Sequence, residues 1–392
     1  MQVTVTEEQT MPNIPVGPLG MIPLESCKTL GEKIDKYLVT WRQKRDLEQK
    51  PSAAFKEYHR DSYILKTSVP RFGSGEAKGI INESVRGEDL YILVDVCNYS
   101  MTYPLYEKTN HMSPDDHFQD LKRIIAAVGG KARRINVIMP FLYESRQHNR
   151  NGRESLDCAL ALQELVRMGV DNIITFDAHD PRVQNAIPLK GFDTVQPAYQ
   201  FIKGLFRAVP DLHISKESTM VISPDEGGMG RAVYMANVLG VDMGMFYKRR
   251  DYATIVGGRN PIVAHEFLGT DVANKDVIII DDMISSGGSV LEVATELKKR
   301  KANRIFICAT FGLFTNGLHE FDKAYESGLL NYVLTTNLIY QTPELLEKPY
   351  YVNCDLSKYL AYIIDNLNHD ASLSKLLSPI GRINNFLAKH NK

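Results

Sequence analysis

No run of apolar residues in this 392-residue chain reaches the roughly 18 that a membrane-spanning helix needs. The start, Met1-Gln-Val-Thr-Val-Thr-Glu-Glu, lacks the basic opening and apolar stretch of a secretory signal. Neither sign of charge is in excess: 46 Lys and Arg face 47 Asp and Glu, a formal charge of −1, and nothing in that balance suggests a nucleic-acid or membrane partner. Cys27, Cys97, Cys158, Cys308 and Cys354 are odd in number, scattered, and without C-x-x-C spacing. They exclude a disulfide frame and a zinc site and fit buried thiols in a reducing compartment. Short-period repeats and low-complexity segments are also missing. What is present is 44% hydrophobic and 24% charged residues, enough for sizeable cores and for two or more domains. A soluble, cytoplasmic α/β protein is the expectation.

The rest of the chain is ordered around Asp276 to Val290, D-V-I-I-I-D-D-M-I-S-S-G-G-S-V. Val277 to Ile280 are apolar β-formers that end in Asp281 and Asp282. The turn Ser285-Ser286-Gly287-Gly288-Ser289 comes next, then apolar residues at 290, 291, 293, 294 and 297. This reads as a buried strand, a small-residue loop and an amphipathic helix. Backbone N–H groups at such a helix start favour an anion. Acids at a strand's carboxyl end suit a polyol or a metal–phosphate complex. An ordinary strand-to-helix turn with Ser caps has the same outline; the acid pair before S-S-G-G-S favours a phosphate site.

Residues 1–24 read as a loosely packed start, Leu30 to Trp41 as a helix, and Arg42 to Lys50 as a solvated helix end or insertion. Leu90 to Val96 is a buried strand, and Tyr99 to His117 a long irregular loop. Phe118 to Val128 is helical and stopped by Gly129-Gly130; Ile135 to Met139 is a strand, Arg153 to Met168 a helix, Asn172 to Phe176 a strand. The second half repeats the rhythm from Met220 to Ser223 through Arg304 to Thr310, with late short strands at 334–339 and 350–353 and a helix at Tyr359 to Leu367. Strand–helix alternation predicts parallel sheets with helices packed on them.

Four further constellations stand after expected strands, where open α/β sheets bind ligands. Asp177-Ala178-His179-Asp180 can hold a metal or a metal-bound phosphate, or is a capping loop. Ser223-Pro224-Asp225-Glu226-Gly227-Gly228 opens a helix with glycines that permit close backbone approach, and Arg231 can pair with a phosphate. Lys248-Arg249-Arg250 precedes a Gly/Asn loop, Val256 to Pro261, that fits a lid over a polyphosphate; runs of cations also mark solvated faces. Glu144 to Arg150 offers Arg146 and Gln147 to a phosphate and a ring or ribose edge, or is a solvated loop.

The order of these pieces resembles the ribose-phosphate pyrophosphokinase family. Asp281 to Ser289 is similar to its phosphoribosyl-pyrophosphate loop. Ser223 to Gly228, Lys248-Arg249-Arg250, Asp177-Ala178-His179 and Ser145-Arg146-Gln147 fall in the family's order. Arg71-Phe72-Gly73-Ser74-Gly75-Glu76, then Ile81 to Gly87, resembles its adenine-binding hairpin and the segment after it. The resemblance runs from about Phe72 to Leu377, leaving the N-terminus and the 99–117 loop as additions. It implies an α/β fold of two phosphoribosyltransferase-like domains, each a mostly parallel sheet flanked by helices. The first spans 1–195 and the second 196–392, with the last helix returning to the first.

The activity implied is magnesium- and ATP-dependent: a diphosphoryl group passes from ATP to the C1 hydroxyl of ribose 5-phosphate, giving phosphoribosyl pyrophosphate and AMP. A homo-oligomer built from dimers, commonly a hexamer, is implied too. Residue by residue, Phe72, Ser74 and Glu76 would lie at the adenine of a neighbouring subunit's site. Arg146 and Gln147 would hold ATP, and His179 and Asp225 the Mg2+. Asp281 and Asp282 would take the ribose hydroxyls, directly or through a metal, and Ser285, Ser286, Gly287, Gly288 and Ser289 the 5-phosphate. Lys248 and Arg250 would stabilise charge at the attacked phosphorus. Three positions depart from the family. Its loop reads D-D-M-I-D-T-G-G-T, where this chain has Ser285; an acid or Asn stands at Ser74, and Asp at His148. These departures motivate an alternative, a non-catalytic regulatory homologue that binds nucleotide beside an active copy. A single-domain phosphoribosyltransferase would lack the adenine hairpin and the Arg-Gln segment.

Overall fold

The computed structural model describes residues 14–48, 58–250 and 262–391. It divides into two compact units. One comprises Met1–Thr175, Arg182–Asp193 and Ser357–Leu377, the other Phe176–Pro181, Thr194–Leu356 and Ser378–Lys392.

The strands of the first half are β1 (Leu19–Pro23), β2 (Thr67–Ser68), β3 (Ile80–Ile81), β4 (Asp89–Leu93), β5 (Thr102–Leu105), β6 (Lys108–His111), β7 (Arg134–Ile138), β8 (Asn172–Phe176) and β9 (Gly191–Val195). Its helices are α1 (Lys28–Glu48), α2 (Pro114–Val128) and α3 (Asp157–Arg167). The main sheet has the order β1-β4-β7-β8-β9, and β1, β4, β7 and β8 pair in parallel. All five residues of β4 are buried, as the continuous apolar run requires of a strand covered on both faces.

Three expectations for this unit are corrected. The chain's start is not loose throughout: Leu19, Met21 and Ile22 are fully buried in β1, between β4 and the segment at Tyr63 and Leu65. Gly20 and Pro23 hide that strand from a propensity reading, and Gly20 leaves room for the Glu88 carboxylate, which a Cβ there would displace. The charged continuation of the first helix is only partly solvated: Gln43 and Lys44 are exposed and Arg45 is half-buried, while Gln49 and Lys50 lie outside the described residues. Arg42 is 1% exposed, pairs with Asp365 at 3.2 Å and donates to Asn368 at 2.7 Å, as the late helix Ser357–Asn368 packs on α1. Lastly, 99–117 is not irregular. It holds the β5–β6 hairpin and the start of α2, which Ser113 caps through a reciprocal box with Asp116, with Pro114 in the first turn.

The second unit carries β10 (Thr219–Ser223), β11 (Asp242–Arg250), β12 (Ile262–Leu268), β13 (Asp276–Ile284), β14 (Ile305–Gly312), β15 (Tyr332–Thr336) and β16 (Tyr351–Cys354). Its helices include α4 (Ala198–Ala208), α5 (Met229–Leu239), α6 (Gly288–Lys299), α7 (His319–Glu326) and α8 (Pro343–Glu347). The sheet order is β12-β11-β10-β13-β14-β15-β16, parallel except for the β11–β12 pair. Period-two alternation splits its side chains between two cores. Met220, Ile222, Val277, Ile279, Ile305 and Ile307 face the layer of α6 and α7. Val221, Ile278, Ile280, Phe306 and Cys308 face the layer of α4, α5 and the C-terminal helix Ile380–His390. The sheet is therefore buried on both sides and leaves its strand ends for chemistry.

Candidate active site

The core of the site lies in the second unit, at the carboxyl ends of β10 and β13. β13 runs beyond the apolar stretch to Ile284, so Asp281 and Asp282 sit inside the strand and not after it. Successive strand residues face opposite ways, and the two acids meet different neighbours. Asp282 is 3% exposed and accepts from Nδ1 of His179 at 2.7 Å, with Arg231 Nη2 at 3.6 Å from the same oxygen. Burial opposes its charge, but the His179 hydrogen bond and the Arg231 cation outweigh burial and hold its carboxyl below the usual range. Asp281 shifts the other way. Burial first, then the charges of Asp282 and Asp225, push its carboxyl well up.

Arg231 differs from its sequence reading. Its Nε donates to Asp177 Oδ1 at 2.6 Å, and Nη2 to the carbonyls of Ala178 at 3.2 Å and His179 at 3.4 Å. It is 7% exposed. The guanidinium is thus committed to the loop after β8 and does not face solvent as a phosphate ligand. Asp177 also accepts from Thr310 Oγ1 at 2.7 Å and holds a left-handed φ of 39°. Burial raises its carboxyl, against the pull of Arg231. Thr310 was missed as a part of the site, and Asp177, read as one end of a metal-holding or capping loop, is the buried anchor of Arg231. The one hint in the sequence is Thr310, a polar residue closing the apolar run Ile305 to Ala309.

The two glycine-rich turns have separate reasons for their glycines. Gly287 has φ 89° before α6, and a Cβ on it would lie 2.6 Å from Cζ of Phe321. No side chain caps α6, which starts at Gly288. A helix start of that kind favours an anion. The loop between is fixed by Thr315 N–H donating to the Ser285 carbonyl at 3.0 Å. Across the strand ends, Gly228 N–H donates to Asp225 Oδ1 at 3.2 Å, and a Cβ on Gly228 would meet Ser223 Oγ at 2.8 Å. The Gly228 Cβ position lies 3.7 Å from the Ile280 carbonyl, so the two turns are neighbours.

β11 pairs with β10 only as far as Met245, then continues to Arg250 on a two-stranded ribbon with β12, irregular between Arg249 and Arg250. Lys248 and Arg250 fall on that extension by backbone register; their side chains, and the loop at Val256 to Pro261, lie outside the described residues.

The other candidates belong to the first unit. Phe72, 53% exposed, starts a tight turn closed by Phe72 N–H to the Glu76 carbonyl at 2.7 Å, with Ser74 Oγ donating to Glu76 Oε2 at 3.0 Å. Arg146 is exposed after β7. The Gln147 amide donates to the Ser155 carbonyl at 2.8 Å and the Asn149 carbonyl at 3.2 Å, bracing its own loop.

Among the described residues no three His, Cys, Asp or Glu side chains converge to hold a metal unaided. That fits magnesium, which takes one or two carboxylates and completes its shell with water and substrate phosphates. Asp225 carries a hard oxygen, and its charge repels that of Asp281, a repulsion a divalent ion would relieve.

Two α/β units on mostly parallel sheets, the second with paired acids and an anion loop at its strand ends, define a phosphoribosyltransferase-type enzyme. Residues 19–169 match the family model for the N-terminal domain of ribose phosphate pyrophosphokinase, and residues 193–347 that for the phosphoribosyl transferase domain. A ribose-phosphate pyrophosphokinase from Vibrio vulnificus (strain YJ016) is 30% identical over 316 residues, 79% of this chain and 90% of that one. One from Mycoplasma genitalium is 30% identical over 279 residues, 70% and 76% of the two chains. The crystal structure of phosphoribosylpyrophosphate synthetase from Mycobacterium smegmatis shares the fold, with a TM-score of 0.70, 22% identity, and coverage of 90% of this chain and 99% of that one. The chain belongs to the ribose-phosphate pyrophosphokinase family.

Proposed function

We propose that this chain transfers the β,γ-diphosphoryl group of ATP to the C1 hydroxyl of ribose 5-phosphate, releasing AMP and forming phosphoribosyl pyrophosphate. The observation that carries the reading is the pair of adjoining turns at β10 and β13: acids on the strands and an uncapped helix start that only glycine can form. Ser285 to Ser289 cradle the 5-phosphate, and Asp281 and Asp282 accept from the ribose hydroxyls. His179, oriented by Asp282, and Asp225 hold magnesium, which neutralises polyphosphate charge when bound. Arg146 and Gln147 contact ATP, and Phe72, Ser74 and Glu76 its adenine. Lys248 and Arg250, on the β11 extension, bring cations to the phosphorus under attack. Arg231 and Asp177 do not touch substrate; they fix the His179 loop against Asp282. A dimer-based homo-oligomer, hexameric in the family's manner, and a cytoplasmic location complete the proposal. No helix among the described residues is long and apolar enough to cross a membrane.

The test is AMP and phosphoribosyl pyrophosphate formation from ATP, ribose 5-phosphate and Mg2+ by the purified chain. Lys248→Ala lowers turnover by orders of magnitude with little change in the KM for ribose 5-phosphate. ATP binding without turnover, restored by Ser285→Asp, would replace this reading with the non-catalytic regulatory one.

A further inference from the structure

The β5–β6 hairpin is joined to the Phe72 turn at three points. The Tyr106 N–H donates to the Gly73 carbonyl at 3.4 Å. Gly75 has φ 91°, and a Cβ there would lie 2.8 Å from Leu105 Cδ1 and 3.7 Å from Tyr103 Cε2. Arg71, just before Phe72, lies 4.5 Å from the Tyr103 ring centre and pairs with Asp120 at 2.8 Å. The hairpin thus braces the turn that the proposed function assigns to adenine.

Its tip is unusual. Leu105 pairs with Lys108, which leaves Tyr106 and Glu107 as a two-residue turn with φ 46° and 65°. Such turns favour Asn and Gly, because a left-handed backbone crowds a bulky side chain. Tyr106 gains no packing in return: it is 76% exposed, beside a Phe72 that is 53% exposed. One exposed aromatic is ordinary. Two on adjoining turns, one of them in a backbone conformation that disfavours it, indicate contact with something outside the chain's own core.

We propose that Tyr106 is a second aromatic contact for the purine of the nucleotide, presented beside Phe72 by the β5–β6 hairpin. The inference rests on Phe72 serving the adenine. A flat base stacks on an aromatic face with little demand on sequence around it.

Tyr106→Gly separates contact from structure, since glycine suits φ 46° and cannot stack. In the full chain, this variant raises the KM for Mg-ATP and the dissociation constant for AMP, read by calorimetry, by about 5- to 150-fold. The KM for ribose 5-phosphate, inhibition by tripolyphosphate and the melting temperature stay as they were, and Tyr106→Phe behaves as the unaltered chain. Unchanged AMP affinity overturns the proposal. So does dissociation of the assembly into smaller species, which would place Tyr106 in an interface between copies. The AMP measurement needs no turnover, so an inactive enzyme would sink the proposed function while leaving Tyr106 decided.

Discussion

Replacing Arg231 with methionine tests whether the residue is a support or a phosphate ligand, and the two roles predict opposite balances of stability and activity. The side chain is nearly fully buried and faces two buried carboxylates, Asp177 at 2.6 Å and Asp282 at 3.6 Å. Methionine keeps much of the volume and removes the charge, so Asp177 keeps only Thr310 and Asp282 only His179 among the donors described, and two carbonyls lose the guanidinium. Breaking a buried pair from one side costs about 3–5 kcal/mol. In a unit of this size that lowers the melting temperature by roughly 6–20 °C. Differential scanning calorimetry with and without ribose 5-phosphate reads it directly. Activity falls as well, because His179 and Asp282 lose their shared anchor, and Arg231→Lys recovers charge but not the forked geometry. An Arg231→Met protein that melts like the parent yet fails to bind phosphate would refute the reasoning and return the guanidinium to the ligand.

Asp365 gives a prediction in pH. Its burial opposes ionisation, yet Arg42 and Arg45 hold its carboxyl below the usual range, so its contribution is full above about pH 4 and is lost as pH falls through the folded value. Asp365→Asn is less stable at neutral pH and shows a shallower loss of urea midpoint between neutral pH and pH 3 than the parent; parallel curves would contradict the assignment. Gly287→Ala places a methyl on Phe321 at a left-handed φ. It raises the KM for ribose 5-phosphate at least tenfold and costs about 1–3 kcal/mol in denaturant titration, whereas an unchanged KM would mean that the loop does not hold the sugar phosphate.

What was legible in the sequence is what depends on local pattern. The apolar run before Asp281, the glycines at 287 and 228, and the alternation of strands and helices each come from steric and burial rules that act over a few residues. β1 was lost because Gly20 and Pro23 break the propensity signal of a strand that its neighbours nonetheless enclose. The hairpin at 102–111 was lost because its turn uses Tyr and Glu where Asn and Gly would have announced it. Charge was the poorest guide. Arg42 finds Asp365 across 323 positions and Arg231 finds Asp177 across 54, so neither partner can be seen from the run in which the arginine stands. An arginine in a glycine-rich turn has the same sequence signature whether it meets a phosphate or a buried carboxylate. The desolvation that each demands is met only by the tertiary fold, which is why stability, and not activity alone, is the measurement that tells them apart.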